Sequence, residues 1–387
     1  MTRANMREAE GPGPRGPVLD RRLLCRALAG LGAEALPRVS KAASREPSLA
    51  ALAAAKGVVF GMALTREQVQ EAPALARVAL AEAAMLVPGN ELKWGAVEPA
   101  PGRFDFVDAD ALVDLARSHR MQSRGHALVW HEALPAWIGT SPTRAEMSGA
   151  LSRHIGALCG RYAGRMHSWD VVNEVIEPSG ERSDGLRRTP FLGALGEDYI
   201  ARAFSLAAEA DPDAILTLND YDLERDTEWQ ARRRAAMLDL LNRLIRRGVP
   251  VRALGIQGHL DPAKGPLDPE IFRSFIRAVA SLGLSVFITE LDITDRLLPG
   301  DIAARDQAAA ETTRDYLTAV LAEPSVRMVV TWGVSDAYSW VDGNRRTRRT
   351  DGLASRPHLY DGAFRPKPLR AAVADAFRSA PARPIAR

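Results

Sequence analysis

Short runs of apolar and β-branched residues alternate along the chain with longer stretches in which apolar residues recur every three or four positions. The short runs have the length of buried strands, and the longer stretches have the period of amphipathic helices. Eight strands that alternate with helices predict an α/β fold of the (β/α)8 TIM-barrel type, formed by a single domain over residues 46–380. The predicted strands are Val58–Gly61, Ala84–Val87, Gly125–Trp130, Ser168–Val172, Ala214–Leu218, Ala253–Ile256, Val286–Thr289 and Met328–Thr331. The predicted helices are Ala109–Ala116, Ala145–Cys159, Tyr199–Ala210, Thr227–Arg246, Glu270–Leu282 and Ala303–Leu321.

Polar and aromatic residues follow most of the predicted strands, at the face of a barrel where active sites lie. The most informative are two glutamates, Glu174 after the fourth strand and Glu290 after the seventh. A carboxylate at the end of a buried apolar run is costly to desolvate unless it is paired, so it more often serves chemistry than packing. Two such carboxylates suggest an acid and a nucleophile, as in glycoside hydrolysis.

Other reaction classes fit these strand ends less well. A metal hydrolase would use the histidines, but no HxH or HExxH pairing is present, and we expect no metal and no cofactor. There is no GxSxG elbow for a serine nucleophile and no Gly-rich phosphate turn. Asn90, Asn173, Asn219 and Gln257 suit neutral hydroxyl groups better than a metal shell. The planes of Trp130, Trp332 and Trp340 suit the flat faces of sugars, whereas for Trp137 and Trp229 we prefer a position in the core.

The charge of the chain is concentrated at its start. The chain has 387 residues and a formal net charge of +3, but the first 47 residues hold nine Lys/Arg and five acidic residues, so the remainder is nearly neutral. A neutral body excludes the electrostatic footprint of a nucleic-acid-binding protein. No stretch is apolar enough to span a membrane. Of the two cysteines, Cys25 lies in the leader and Cys159 fits a helix core.

The leader, residues 1–45, contains Arg21-Arg22 before a modest apolar stretch and then small residues, which resembles a twin-arginine export signal. We therefore expect an exported protein, periplasmic or secreted. Because Arg26 and Glu34 interrupt the apolar stretch, the alternative is a disordered extension on a cytoplasmic protein.

The ordered motifs of the body closely resemble glycoside hydrolase family 10, the endo-1,4-β-xylanases, from about Val58 to about Pro368. The matching segments are Phe60–Ala63, Asn90–Trp94, Glu98-Pro99, Gly102–Phe104, Arg124–His131, Trp169–Glu174, Asn219–Tyr221, Gln257–His259, Ile288–Asp292, Trp332–Asp336 and Lys367-Pro368.

This resemblance implies a retaining double displacement with Glu174 as acid/base and Glu290 as nucleophile. In retaining enzymes the two carboxyl groups lie about 5–5.5 Å apart, one protonated and one ionised. We expect Glu290 to stay anionic through His259, held by Asp292, and through Gln257. We expect the nearby charge of Glu290 to raise the pKa of Glu174.

The same resemblance implies the sugar contacts. Asn173 would bind the 2-hydroxyl at the cleaved sugar, and Tyr221 would lie on the leaving-group side. His131 would line the site or buttress His126. Groups on the non-reducing side and over the catalytic subsite would be Asn90, Lys93, His126, Trp130, Trp332 and Trp340.

The implied activity is hydrolysis of internal β-1,4-xylosidic bonds by a monomer that binds xylan or xylooligosaccharides and neither nucleic acid nor membrane. Two alternatives stay open: a β-1,4-glucanase that cleaves cellooligosaccharides, and a non-catalytic carbohydrate-binding barrel.

Two features depart from the typical pattern. Many members of the family have an acidic residue immediately before Asn90, where this chain has Gly89. We expect the second subsite on the non-reducing side to be weaker by roughly 1.5–3 kcal/mol. The second feature is the run Arg345–Arg349, which we interpret as a solvated loop, with recognition of acidic glucuronyl branches as the weaker hypothesis.

Overall fold

The computed structural model, which describes residues 46–179, 182–298 and 300–383, contains a closed barrel of eight parallel strands. Strands that follow one another in the chain are neighbours in the sheet, and β8 pairs with β1 to close it, with Val59 opposite Met328. The predicted (β/α)8 fold is confirmed. The strands are β1 (Val59–Leu64), β2 (Met85–Pro88), β3 (Gln122–Gly125), β4 (Ser168–Asn173), β5 (Ile215–Asp220), β6 (Ala253–Ile256), β7 (Ser285–Ile293) and β8 (Val326–Thr331).

Helices follow the strands, and their starts show why the sequence places them there. The helix after β3 begins with a capping box in which Thr143 and Glu146 satisfy each other's backbone N–H groups. Asp268 caps another helix, whose first residue is Pro269. The helices are α1 (Leu49–Ala54), α2 (Arg66–Glu71), α3 (Pro73–Glu82), α4 (Trp94–Val97), α5 (Val107–Ser118), α6 (Arg144–Arg161), α7 (Pro190–Leu195), α8 (Asp198–Ala210), α9 (Glu228–Arg246), α10 (Pro269–Ser281), α11 (Ile302–Leu321) and α12 (Pro368–Ser379).

The third strand differs from the prediction of Gly125–Trp130. β3 ends at Gly125, and the next residues leave the regular ladder while staying attached to β4. The backbone N–H of Leu128 donates to Asp170 O (2.9 Å), and that of Val129 donates to Val171 O (3.0 Å). The apolar run is therefore buried as predicted, but as an irregular extension that carries His126 toward the barrel mouth.

Close packing between the barrel strands and the surrounding helices requires glycine at one strand end. A Cβ atom on Gly125 would lie 2.0 Å from Cε3 of Trp169, so no side chain fits there. The Trp169 indole is fully buried and donates to Asp211 Oδ2 (2.8 Å). The apolar interior of the barrel is formed by Ala63, Met85, Val87, Ala253, Phe287, Met328 and Val330.

The residues from Pro47 onward form one compact unit. The predicted leader, residues 1–45, lies outside the described residues, so the export signal stays a prediction. No helix within the described ranges has the length and apolarity needed to cross a membrane.

Candidate active site

A cleft of about 1210 Å³ opens at the carboxyl ends of the strands. Every side chain predicted from the sequence as a site residue lines it. These residues are Asn90, Lys93, His126, Trp130, His131, Asn173, Glu174, Tyr221, Gln257, His259, Glu290, Asp292, Trp332 and Trp340.

Glu290 is surrounded by groups that favour its ionised form. Its Oε1 accepts from Asn219 Nδ2 (2.8 Å), and its Oε2 lies 3.3 Å from His259 Nε2. His126 Nδ1 lies 3.8 Å from Oε1. Burial alone would raise the pKa of Glu290, but His126, His259 and Asn219 together lower it to about 2. Glu290 is therefore an anion at neutral pH.

His259 is held by a carboxylate on its other side. A two-residue strand, His259–Leu260, pairs with the end of β7 and sets His259 opposite Asp292. His259 Nδ1 lies 2.7 Å from Asp292 Oδ1, and Asp292 Oδ2 accepts from Trp340 Nε1 (2.7 Å). Burial would lower the pKa of His259, but Asp292 and Glu290 raise it to about 10. The imidazolium therefore donates to both carboxylates.

His126 is fixed by a second buried carboxylate. His126 Nδ1 lies 3.0 Å from Asp170 Oδ2, and Arg124 forms an ion pair with the same carboxylate. The Trp332 ring meets the His126 ring edge to face, with centroids 4.9 Å apart. The orientation of His126 is thus set from both sides before any substrate binds.

Glu174 has a different environment. Gln257 Nε2 donates to its Oε1 (3.1 Å), and Asn173 Nδ2 lies 3.4 Å from the same oxygen. Burial is the main cause that raises the pKa of Glu174; the Gln257 hydrogen bond opposes it, and the charges of Asp220 and Glu290 add smaller contributions. The predicted direction is thus found, but the predicted cause, the charge of Glu290, is a minor one because desolvation of the carboxylate dominates.

The prediction that Gln257 donates to Glu290 is wrong. The Gln257 amide turns toward Glu174 and Asn173, and Asn219 takes the place beside Glu290. Asn219 Nδ2 also donates to Asn173 Oδ1 (2.9 Å), and Asn219 Oδ1 accepts from Thr289 Oγ1 (2.7 Å). Asn219 therefore links both strand ends that carry the glutamates.

Arg187 is a residue of the site that sequence reasoning missed. Glu174 has φ = +60°, a left-handed backbone conformation that is uncommon for a non-glycine residue and typical of functional sites. Its backbone N–H donates to Asn219 O (2.9 Å), and its carbonyl accepts from Arg187 Nε (2.8 Å). Arg187 Nη2 also donates to the Tyr221 hydroxyl (2.6 Å). No motif marks Arg187, because it comes from the loop between β4 and α7.

Lys93 and two aromatic side chains border the cleft beside the glutamates. Lys93 Nζ donates to Asn90 Oδ1 (2.8 Å) and lies 5.1 Å from the ring centroid of Trp130. Burial lowers the pKa of Lys93, while Glu290, Glu91 and Glu174 raise it. On another wall, the guanidinium of Arg233 stacks 4.2 Å from the Tyr221 ring and fixes its plane.

The predicted positions of Trp137, Trp229 and His131 have different outcomes. Trp137 packs against the core, as predicted, and its Nε1 donates to Glu98 O (2.9 Å). Trp229 does not lie in the core as predicted; it lines the cleft, because it stands in the first turn of α9, which faces the barrel mouth. His131 lies 3.4 Å from Glu132 and lines the cleft, so its observed partner is Glu132 and not His126.

Within the part of the chain that the structure describes, no group of three or more His, Cys, Asp or Glu side chains could hold a metal ion. The arrangement instead offers one ionised and one protonatable carboxyl group beside aromatic planes and amides. That combination serves acid/base and nucleophilic chemistry on a polyhydroxylated substrate.

Comparison with known proteins decides the family. The model of Glycosyl hydrolase family 10 matches residues 48–376. The chain belongs to glycosyl hydrolase family 10. The family 10 relatives include endo-1,4-beta-xylanase B of Thermotoga neapolitana, which is 32% identical over 87% of this chain and 93% of that protein. Another is the beta-1,4-xylanase of Dictyoglomus thermophilum, 37% identical over 66% of this chain and 72% of that protein.

Solved structures agree with the family 10 assignment. Xylanase 10B from Thermotoga maritima is 31% identical, with a TM-score of 0.75 over 85% of this chain and 98% of that one. Xylanase 10B from Thermotoga petrophila, solved in complex with xylobiose, is 30% identical, with a TM-score of 0.76 over 86% of this chain and 98% of that one. The predicted family is confirmed, and with it the prediction that this chain is a glycosidase.

Proposed function

We propose that this chain cleaves internal β-1,4-xylosidic bonds with retention, with Glu290 as nucleophile and Glu174 as acid/base. In the first step Glu290 attacks the anomeric carbon and forms a glycosyl ester, while Glu174 gives its proton to the departing glycosidic oxygen. In the second step Glu174 takes a proton from water, and the water oxygen displaces Glu290 from the anomeric carbon. Before the first step Glu290 is ionised and Glu174 is protonated. Before the second step Glu290 is esterified and Glu174 is ionised.

The observation that carries this proposal is the opposite pKa shift of two carboxyl groups in one cleft. The pKa of Glu290 is lowered to about 2, whereas burial raises that of Glu174. A pair of titratable groups with separated pKa values is the pattern that assigns acid and base.

The cleft also supports a sugar substrate. Asn173 lies between the two glutamates, with its amide 3.4 Å from Glu174 and its oxygen bonded to Asn219. In this proposal Asn173 binds the hydroxyl next to the reacting carbon, where contacts tighten as the sugar flattens toward the transition state. Lys93 and Asn90 supply donors and acceptors on one wall, and Trp340 and Trp332 supply planes.

The decisive experiment is incubation of the purified protein with xylohexaose, with products followed by chromatography and anomeric form by proton NMR. Endo-acting retention predicts mid-length products that first appear as the β-anomer. Carboxymethylcellulose and cellohexaose are the comparison substrates, and faster cleavage of these would favour the glucanase alternative. Unchanged xylan hydrolysis by Glu290→Ala would contradict the assigned nucleophile and revive the non-catalytic alternative.

We further propose that the protein acts as an exported monomer. Export is supported by Arg21-Arg22 in the leader. Replacing both arginines by lysine should keep the protein in the cytoplasm, and an unchanged distribution between cell fractions would contradict this. Light scattering of the purified protein should give a mass near the chain mass of 42.0 kDa, and twice that mass would contradict the monomer.

A further inference from the structure

The arginine-rich run at 345–349 does not behave as one solvated loop. Arg349 is buried: its Nη2 donates to Leu298 O (2.9 Å) and pairs with Asp351. Arg345, Arg346 and Arg348 are exposed, so the prediction of a solvated loop holds for them and is wrong for Arg349. Of the five residues, Arg346 and Thr347 line the cleft.

Hydrogen bonds fix the backbone around Arg346. Its backbone N–H donates to Asn344 Oδ1 (2.9 Å). The next residue, Thr347, donates through Oγ1 to Val341 O (3.0 Å) and accepts through its carbonyl from Thr294 Oγ1 (2.7 Å). Because Thr294 follows β7, these bonds tie the loop to the strand that carries Glu290. Arg346 therefore has a defined place on the cleft wall.

Within the described part of the chain, Arg346 differs from the other Lys and Arg residues of the cleft in having no acceptor for its side chain. Each of the other four lining Lys and Arg side chains contacts an acceptor. Those contacts are Lys93 with Asn90 (2.8 Å), Arg187 with Glu177 (3.4 Å), Lys264 with Asp222 (2.6 Å) and Arg296 with Asp261 (2.9 Å). Among the residues described, Arg346 is the one Lys or Arg of the cleft lining whose side chain has neither a hydrogen bond nor an acid partner within 4.0 Å.

We propose that Arg346 is a specificity residue that binds the carboxylate of an acidic branch on the xylan backbone. Its planar guanidinium can hold a carboxylate with two parallel hydrogen bonds. Two acids of the same cleft already have cationic partners, since Asp261 is paired with Arg296 and Asp292 with His259. The expected ligand is a uronic acid branch, as in glucuronoxylan. This inference rests on the proposed xylanase function and deepens it.

The test compares one polymer in two charge states: glucuronoxylan, and the same material after its carboxyl groups are reduced to alcohols. The value of kcat/KM is measured on both at low salt and at 0.5 M NaCl. For an ion pair near the surface we expect the native chain to prefer the acidic polymer by about two- to fivefold at low salt. Salt should remove that preference, because 0.5 M NaCl shortens the Debye length to less than half its value at 0.1 M.

The variants are Arg346→Ala, Arg346→Lys and, as matched controls from the same loop, Arg345→Ala and Arg348→Ala. Arg346→Ala should abolish the preference, Arg346→Lys should keep part of it, and the two controls should keep all of it. An unchanged preference in Arg346→Ala overturns the proposal. Equal losses of the preference in Arg345→Ala or Arg348→Ala also overturn it. The preference would then come from the positive charge of the whole loop and not from a contact made by Arg346. Cleavage of neutral xylohexaose by every variant tests the xylanase function separately.

Discussion

Replacing Asn219 by alanine removes the one neutral side-chain donor that contacts the Glu290 carboxylate among the residues described. Asn219 Nδ2 lies 2.8 Å from Glu290 Oε1, and both residues are buried. A hydrogen bond to a charged group contributes about 1.5–3 kcal/mol. Asn219 ranks after His126 and His259 among the groups that lower the pKa of Glu290, so the lower figure applies. About 1.5 kcal/mol corresponds to a rise of about one pKa unit.

The sign of the effect on activity follows from the reacting form of Glu290. The nucleophile must be ionised, so kcat/KM falls when pH drops below its pKa. The variant should therefore lose activity in acid at a pH about one unit higher than the native chain, whose Glu290 has a pKa of about 2. At pH 6 to 7 Glu290 stays ionised in both, so any loss there reports positioning alone.

The assay is the pH profile of kcat/KM on 4-nitrophenyl β-xylobioside, whose leaving group needs little help from Glu174. Thr289→Val is the matched control, because Thr289 donates to Asn219 Oδ1 and has no hydrogen bond to Glu290 among the described contacts. Thr289→Val should shift the acidic side of the pH profile of kcat/KM much less than Asn219→Ala does. Circular dichroism at each pH separates unfolding from titration. An acid limb that does not move in folded Asn219→Ala would refute the assigned hydrogen bond.

The remaining predictions concern the subsites, the acid/base and the barrel. Gly89→Glu should tighten xylotriose binding by roughly 1.5–3 kcal/mol, measured by calorimetry, because the carboxylate adds a charged hydrogen bond to a sugar hydroxyl; the new Cβ lies 3.3 Å from the Thr65 methyl group, which must shift slightly, and no gain in affinity would contradict the prediction. Glu174→Gln should slow xylan hydrolysis by about 10²–10⁴-fold. The release of nitrophenol from the aryl substrate should be slowed far less, because that leaving group needs little help from an acid. In Glu290→Gln, NMR titration should find the pKa of Glu174 still raised, because burial persists; an ordinary value would refute this. Gly125→Ala should destabilise the fold by about 1–3 kcal/mol in urea denaturation, whereas Gly149→Ala, with open space at its Cβ, should not.

The barrel could be predicted from the sequence because the hydrophobic patterns of its strands and of its helices are both strong, and each is visible within a short stretch of chain. Apolar runs with the length of strands and stretches with the period of helices recur in alternation, and β6 has the bounds predicted for it, Ala253–Ile256. The β3 prediction failed at its end because hydrophobicity reports burial and not regular pairing. The run that follows Gly125 is buried and bonded to β4 without continuing the ladder.

The partners within the site were harder to predict than its members. Position at a strand end places a side chain at the barrel mouth, but the direction of an amide depends on rotamers that a sequence does not encode. Gln257 was thus assigned to the wrong carboxylate. Asn219 carried the same signal as its neighbours, since it stands near the end of β5 within a matching motif. Trp229 could have been found from its place in the first turn of α9, because that turn follows a loop at the barrel mouth.

The two glutamates show how similar sequence contexts give opposite chemistry. Glu174 follows β4 and Glu290 lies within β7, each after a buried apolar run, so desolvation favours the protonated form of both. Glu290 escapes this because His259 is held protonated by Asp292, and because His126 and Asn219 face the same carboxylate. The neighbours of Glu174 are side-chain amides, which reduce the rise in its pKa caused by burial without reversing it. Because that burial does not depend on the charge of Glu290, Glu174 keeps a raised pKa when the glycosyl ester forms. The Glu174 carboxylate left after the first step is therefore a stronger base than an exposed glutamate, which favours proton transfer from the attacking water in the second step.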